Sequence, residues 1–217
     1  MQIKICGLST PESVAVARDH GASHLGFIFF SKSPRNVTPK EAAELRAQAG
    51  SASTVAVTVD AEDAFLDTIV TTMDPDMLQL HGGENPERVE AVRARYGLPV
   101  IKALSVRDTD DLARARTYEN VAKMLLLDAK PPKGSDLPGG NGVSFDWALL
   151  EGFDPTIPVF LSGGISRANL TEALAVVRGN NALVGLDLSS GVESAPGVKD
   201  IAEIAALLAA CKQDDFP

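Results

Sequence analysis

A few residues of this 217-residue chain have the type and spacing to do chemistry. Cys6 ends a short apolar run, just before Gly7. A cysteine there is either a small buried apolar residue or, as a thiolate, a base that removes a proton. Asp128 closes the strongly apolar run 124–127. An acid seldom ends such a run without a partner or a task. It either caps the next turn or pairs with Lys102 or Lys130, or it sits in a partly desolvated pocket and donates a proton. Ser162-Gly163-Gly164 and Ser189-Ser190-Gly191 are glycine-rich turns. Without a Cβ their backbone N–H groups can approach phosphate oxygens, although glycines also serve simply to make tight turns. Gly139-Gly140-Asn141-Gly142 is a candidate third wall of the same pocket. Arg35, after Ser33-Pro34, offers a fork that matches a carboxylate, or is a solvated surface residue. His81 is either a ligand contact or a hydrogen-bonded structural histidine, while His20 and His24 stand in no constellation.

These residues need elements to bring them together. Short apolar runs alternate with amphipathic stretches along the whole chain. Strands are expected at 3–6, 24–30, 54–59, 77–80, 100–103, 122–127, 159–162 and 183–188. Helices are expected at 11–20, 39–48, 62–72, 86–96, 108–116, 167–177 and 200–210, with a short one at 146–150. Thr10-Pro11 reads as a helix start, an N-cap followed by a proline in the first turn. Eight βα units with little left over predict one parallel (β/α)₈ barrel spanning 1–217. An open doubly wound sheet would want a dinucleotide fingerprint after an early strand, and the sequence has none. Barrel chemistry sits at the C-terminal strand ends, and Cys6, Arg35, Asp60, His81, Lys102, Asp128, Ser162 and Asp187 all fall there. The segment 131–142 is long and glycine-rich, which suits a lid with a hinge. The last four residues, 214–217, read as a short flexible tail.

Composition narrows the classes. Hydrophobic residues make up 45% and charged residues 23%, which suits a globular fold and excludes disorder as the main state. Net charge is −9 and the basic residues are scattered, so neither nucleic acid nor an acidic membrane is an expected partner. Two cysteines without a Cys/His cluster predict no metal site. No run reaches the length of a spanning helix, and the N-terminus has no signal-peptide pattern, so a cytoplasmic location is the default expectation.

With these residues in view, the sequence resembles the phosphoribosylanthranilate isomerase family of tryptophan biosynthesis. The matching stretches are Lys4-Ile5-Cys6-Gly7, Gly26-Phe27-Ile28-Phe29 with Ser33-Pro34-Arg35, and Gln79-Leu80-His81-Gly82. They continue through Leu127-Asp128-Ala129, Gly139 to Gly142 before Phe145-Asp146-Trp147, Ser162-Gly163-Gly164, and Asp187 to Glu193 with Pro196-Gly197 and Lys199-Asp200. They keep the family's order over essentially the whole chain. The resemblance implies a (β/α)₈ barrel that performs an Amadori rearrangement on a phosphoribosyl substrate, without cofactor or metal. It implies Cys6 as general base, Asp128 as general acid and Arg35 as the holder of the anthranilate carboxylate. His81, Gly142, Gly163, Gly164, Asp187, Ser189, Ser190 and Gly191 would contact substrate, the glycine turns its phosphate. Family members occur as monomers and homodimers. The third strand departs from the family's Val-Gly-Val-Phe-Val-Asn, reading Val55-Ala56-Val57-Thr58-Val59-Asp60. Asp60 would be mildly unfavourable beside an anionic ligand if it faced the pocket.

Two rivals differ in what they need. The histidine-pathway isomerase family resembles two half-barrels with an Asp at the first strand end, whereas this chain has Cys6 and no half-chain repeat. A non-catalytic or different-substrate sugar-phosphate-binding barrel would keep the glycine turns but would not need Cys6 paired with Asp128.

Overall fold

A computed structural model of the chain describes residues 1–129, 139, 140, 142 and 144–213. Eight strands close into a parallel barrel in sequence order: β1 (Gln2–Cys6), β2 (His24–Phe29), β3 (Ser53–Thr58), β4 (Met77–Leu80), β5 (Val100–Val106), β6 (Met124–Ala129), β7 (Val159–Leu161) and β8 (Leu183–Leu188). Helices α1 (Pro11–Asp19), α2 (Pro39–Arg46), α3 (Asp63–Met73), α4 (Pro86–Tyr96) and α5 (Thr109–Ala115) follow the first five strands. After β6 a 3-10 turn (Trp147–Leu150) takes the helix position, and α6 (Leu170–Gly179) and α7 (Ile201–Gln213) complete the outer layer.

The local causes are readable in the sequence. Thr10 and Thr38 each cap a helix through a reciprocal capping box, and a proline in the first turn pre-sets φ for α1, α2 and α4. Asn85 and Asp108 cap α4 and α5 by accepting the N–H of Arg88 and Asp111. Gly97 ends α4 in the left-handed region, φ 66°. Strand side chains alternate between two cores. Cys6, Val55, Val57, Met77, Ile101, Ala103, Met124, Leu126 and Phe160 fill the barrel itself. A larger cluster, including Ile5, Leu25, Phe27, Leu78, Leu125 and Leu127, packs sheet against helices.

Some boundaries move for physical reasons. β5 runs past Ala103 because Leu104, Ser105 and Val106 pair with Leu127, Asp128 and Ala129. β6 shifts toward the mouth with it. The expected start of α6 at 167 fails because Asn169 holds the chain in a turn, accepting the Ser166 N–H and donating to the Gly164 carbonyl. A small hairpin, β9 (Glu193–Ala195) and β10 (Val198–Lys199), was not expected at all. Its turn is Pro196-Gly197, with Gly197 at φ 84°. The proposed lid falls largely outside the described residues, and so does the tail 214–217.

Candidate active site

The C-terminal mouth of the barrel holds a half-open cavity. Cys6 from β1, Arg35 from the loop after β2, His81 after β4, Asp128 from β6, Gly163 and Gly164 after β7, and Asp187 to Gly191 at the end of β8 all contribute to its wall, Leu188 apart. Ten of the eleven residues to which the resemblance gives a catalytic or substrate contact therefore converge on one space. Gly142 does not line it; a Cβ there would lie 3.9 Å from Ser190 Oγ. Ile28, Phe30, Val57, Val59 and Ile165 give the cavity an apolar side.

Asp128 is buried, and its Oδ1 accepts the Ala129 N–H at 2.8 Å. Oδ2 faces Nε2 of His81 at 3.4 Å. His81 Nδ1 lies 2.9 Å from Gln79 Nε2, and Gln79 is wholly buried in the barrel. Which of the two groups donates is set by the tautomer of the His81 ring. Two glycines leave the room this arrangement needs. A Cβ on Gly139 would sit 2.3 Å from Asp128 Oδ2, and one on Gly163 would sit 2.6 Å from the Ala129 nitrogen. Lys102, a sequence candidate for pairing with Asp128, is committed to Glu84 instead.

Cys6 is buried and its position is shaped by charge. Burial pushes the thiol above its ordinary value; the Lys4 ammonium beside it pulls it down, Asp187 pushes it up again, and Lys199 adds a weaker downward pull. Asp187 is not turned to the cavity alone: Oδ1 accepts from Lys4 at 2.8 Å and Oδ2 from Ser162 Oγ at 3.3 Å.

Arg35 is buried rather than a solvated surface residue. Its Nε and Nη2 donate to Glu193 Oε1 and Oε2 at 2.7 and 2.8 Å, and Nη2 also reaches the Gly140 carbonyl at 3.3 Å. Lys199 donates to the same Glu193, at 2.8 Å, and to the Ser189 carbonyl. Burial opposes the Glu193 charge, but the two cations hold its carboxyl below the usual range. The hairpin thus fastens Arg35 to the cavity rim.

The glycine turns have the form an anion needs. Gly163 and Gly164 adopt φ of 91° and 62°. Among the described residues the N–H groups of Gly163, Gly164, Ser190 and Gly191 have no hydrogen-bond acceptor. Gly191 also packs where a Cβ would strike the Ile165 carbonyl. Asp60 does not face this cavity. It adopts φ 47°, a conformation Asp and Asn tolerate better than most residues, and its Oδ1 accepts the Gly83 N–H at 2.7 Å. Among the described residues no three His, Cys, Asp or Glu side chains converge as metal ligands, and no helix is long and apolar enough to cross a membrane.

Comparison with known proteins decides what kind of barrel this is. The family model for N-(5'-phosphoribosyl)anthranilate (PRA) isomerase matches residues 3–210. The chain belongs to that family. The PRA isomerase of Brucella canis is 58% identical over 202 residues, which cover 93% of this chain and 89% of that one. Monomers generated from the dimeric PRA isomerase of Thermotoga maritima share the fold with a TM-score of 0.83 and 29% identity, over 98% of this chain and 99% of theirs. A PRA isomerase in complex with reduced 1-(o-carboxyphenylamino)-1-deoxyribulose 5-phosphate superposes with a TM-score of 0.82 and 30% identity, with the same coverage.

Within this PRA isomerase barrel, four polar residues at or beneath the site stood in the matching stretches but were given no role from sequence. Lys4 and Gln79 lie on interior strand faces, two residues before Cys6 and His81. That period-two spacing was the available signal. Glu193 and Lys199 come from the unexpected hairpin; Glu193 gains its role from the distant Arg35, and Lys199 from Glu193 and Ser189 close by.

Proposed function

We propose that the cavity carries out the Amadori rearrangement of N-(5'-phosphoribosyl)anthranilate to 1-(2-carboxyphenylamino)-1-deoxyribulose 5-phosphate by general acid–base catalysis. Family membership gives the activity, an isomerisation in tryptophan biosynthesis. The observation that carries the mechanism is the placement of one acid, Asp128 on β6, and one thiol, Cys6 on β1, in the wall of the cavity that also holds both glycine turns.

The N–H groups of Gly163, Gly164, Ser190 and Gly191 take the substrate phosphate. Arg35, held by Glu193, presents its remaining N–H groups to the anthranilate carboxylate. Asp128 gives a proton to the furanose ring oxygen. The C1–O bond breaks, and the anthranilate nitrogen supplies its lone pair to form a C1–N iminium. Cys6 Sγ then takes the proton from C2, and the C–H electron pair becomes the C1–C2 double bond of an enolamine. Return of a proton to C1 and loss of the hydroxyl proton at C2 give the ketone. The iminium places positive charge next to the sulfur at the step that needs a thiolate, which offsets the burial that otherwise keeps the thiol protonated. His81, whose Nε2 lies 3.4 Å from Oδ2 of Asp128, flanks the acid.

Turnover of PRA generated in situ, followed by loss of anthranilate fluorescence, tests this reading. Cys6→Ser and Asp128→Asn should each lower kcat by about 10²-fold or more, the scale of a lost general acid or base. Affinity for the reduced product analogue should stay within about threefold. Near wild-type turnover in either variant would remove that residue from its role. An inactive wild type that still binds phosphoribosyl ligands would favour the binding-only barrel.

A further inference from the structure

Lys4 has no place in the scheme above, yet it is one of the most buried side chains in the molecule, with no exposed surface. It sits inside the barrel on β1, two residues before Cys6 and on the same face. A buried ammonium is tolerated only when paired, and its carboxylate partner is Asp187 on the neighbouring β8, at 2.8 Å. On the other side of β1 the facing residue is Gly26, in register with Cys6. A Cβ on Gly26 would lie 3.0 Å from Cys6 Sγ and 3.2 Å from Lys4 Nζ. The sulfur and the ammonium therefore border the same small space, and the missing Cβ keeps that space open.

We propose that Lys4, anchored on Asp187, is a positioning residue that serves as the counter-ion of the Cys6 thiolate and directs its sulfur to the cavity. This rests on the reading of Cys6 as the base. The other charged and titratable groups around Cys6 do not replace it. His24 on β2 is pushed down to about 4 by burial and by Lys4, so it is neutral where the enzyme works. Lys199 is engaged by Glu193, which also takes Arg35. Asp128, on β6, is a carboxyl group and supplies no positive charge in either protonation state. Asp187 plays two parts: it fixes Lys4 in place and tempers its field.

The test reads Cys6 directly, as the pH midpoint of its alkylation by iodoacetamide in a Cys211→Ser background. Lys4→Met should move that midpoint up by about one unit or more, a tenfold slower alkylation at fixed pH on the rising limb. Asp187→Asn should move it down. Opposite shifts from two partners of one pair are not produced by a general loosening of the barrel. Unchanged midpoints in folded variants would overturn the proposal. The double variant Lys4→Met/Asp187→Asn leaves no buried charge unpaired, and its midpoint should lie above that of Asp187→Asn alone. The wild type supplies a measurement that needs no substitution: the ¹⁵Nζ signal of Lys4 should shift at the pH where Cys6 titrates, and a signal that ignores that pH would refute the coupling. The two readings fail separately. If Cys6→Ser keeps its turnover, the base assignment falls; if Cys6→Ser is dead and the Lys4 measurements show nothing, only the counter-ion falls.

Discussion

Two lysine–carboxylate pairs are buried near the mouth of this barrel, and they do different work. Lys4 and Asp187 lie inside the barrel, 2.8 Å apart, with Asp187 in the cavity wall. Lys102 and Glu84 lie 2.7 Å apart on the opposite side of the sheet, between β5 and the outer layer, against Tyr118. Lys102 spends its other N–H groups on the carbonyls of Leu80 and Gly82. Glu84 in turn accepts the N–H groups of Asp60 and Gly82. Every partner of this second pair is main chain or structural, so it pins the loops after β3 and β4. The ionisation of the two lysines separates in the same way. Burial works against both charges. For Lys4 it is outweighed by Asp187 and Cys6, and the ammonium is held above its ordinary value. For Lys102 the carboxylates of Glu84 and, more weakly, Asp60 do not compensate fully, and the value falls below ordinary. One chemical pair tunes a reactive neighbour, and the other is a rivet.

That contrast can be broken by experiment. The largest effect is expected at the rivet. Lys102→Met leaves Glu84 buried without its cation, which costs about 3–5 kcal/mol. For a chain of this size the melting temperature should fall by roughly 10 °C, measured by circular dichroism. The pH profile of kcat should keep its midpoints, unlike that of Lys4→Met; a displaced midpoint would erase the distinction between the pairs. A smaller effect is expected at the hairpin. Glu193→Gln should loosen the Arg35 fork and raise KM by about tenfold, equivalent to ~1.4 kcal/mol, with kcat nearly unchanged. An unchanged KM would separate Arg35 from carboxylate recognition. The smallest is a spectroscopic one. The His24 ring should titrate near 4 by NMR, and in Lys4→Met its midpoint should rise toward 6.5 without reaching it, since burial remains. The sign follows for stability. The unfolded chain takes up this proton as pH falls through 6.5 while the folded chain does not, so the contribution of His24 to stability declines from there to about pH 4.

The barrel was legible because its signals are local. Continuous apolar runs such as 124–127 mark strands covered on both faces, and Thr10-Pro11 and Thr38-Pro39 announce helices by their caps. That Cys6, Asp128 and the glycine turns share one cavity was legible for a related reason: each ends a strand, and a barrel gathers strand ends at one mouth. What escaped was set by partners distant in sequence. Lys4 reads as an ordinary charged residue until Asp187, 183 positions away, neutralises it. Arg35 was legible as a fork for a carboxylate, but not as one already held by Glu193, 158 positions on. The hairpin carrying Glu193 offers two strands of three and two residues, too short for any periodic signal. Asp60 read as a misfit near an anion because its φ of 47°, which turns its carboxylate to Gly83, is a property of the folded loop.

The most direct test of the central claim follows the proton that Cys6 is assigned to remove. PRA carrying deuterium at C2 of the ribose should turn over more slowly than the protonated substrate in Cys6→Ser. The variant should also be down by about 10²-fold or more, with the reduced product analogue still bound. A variant that turns over within tenfold of wild type, with no isotope effect at C2, would show that another group takes this proton and would contradict the account.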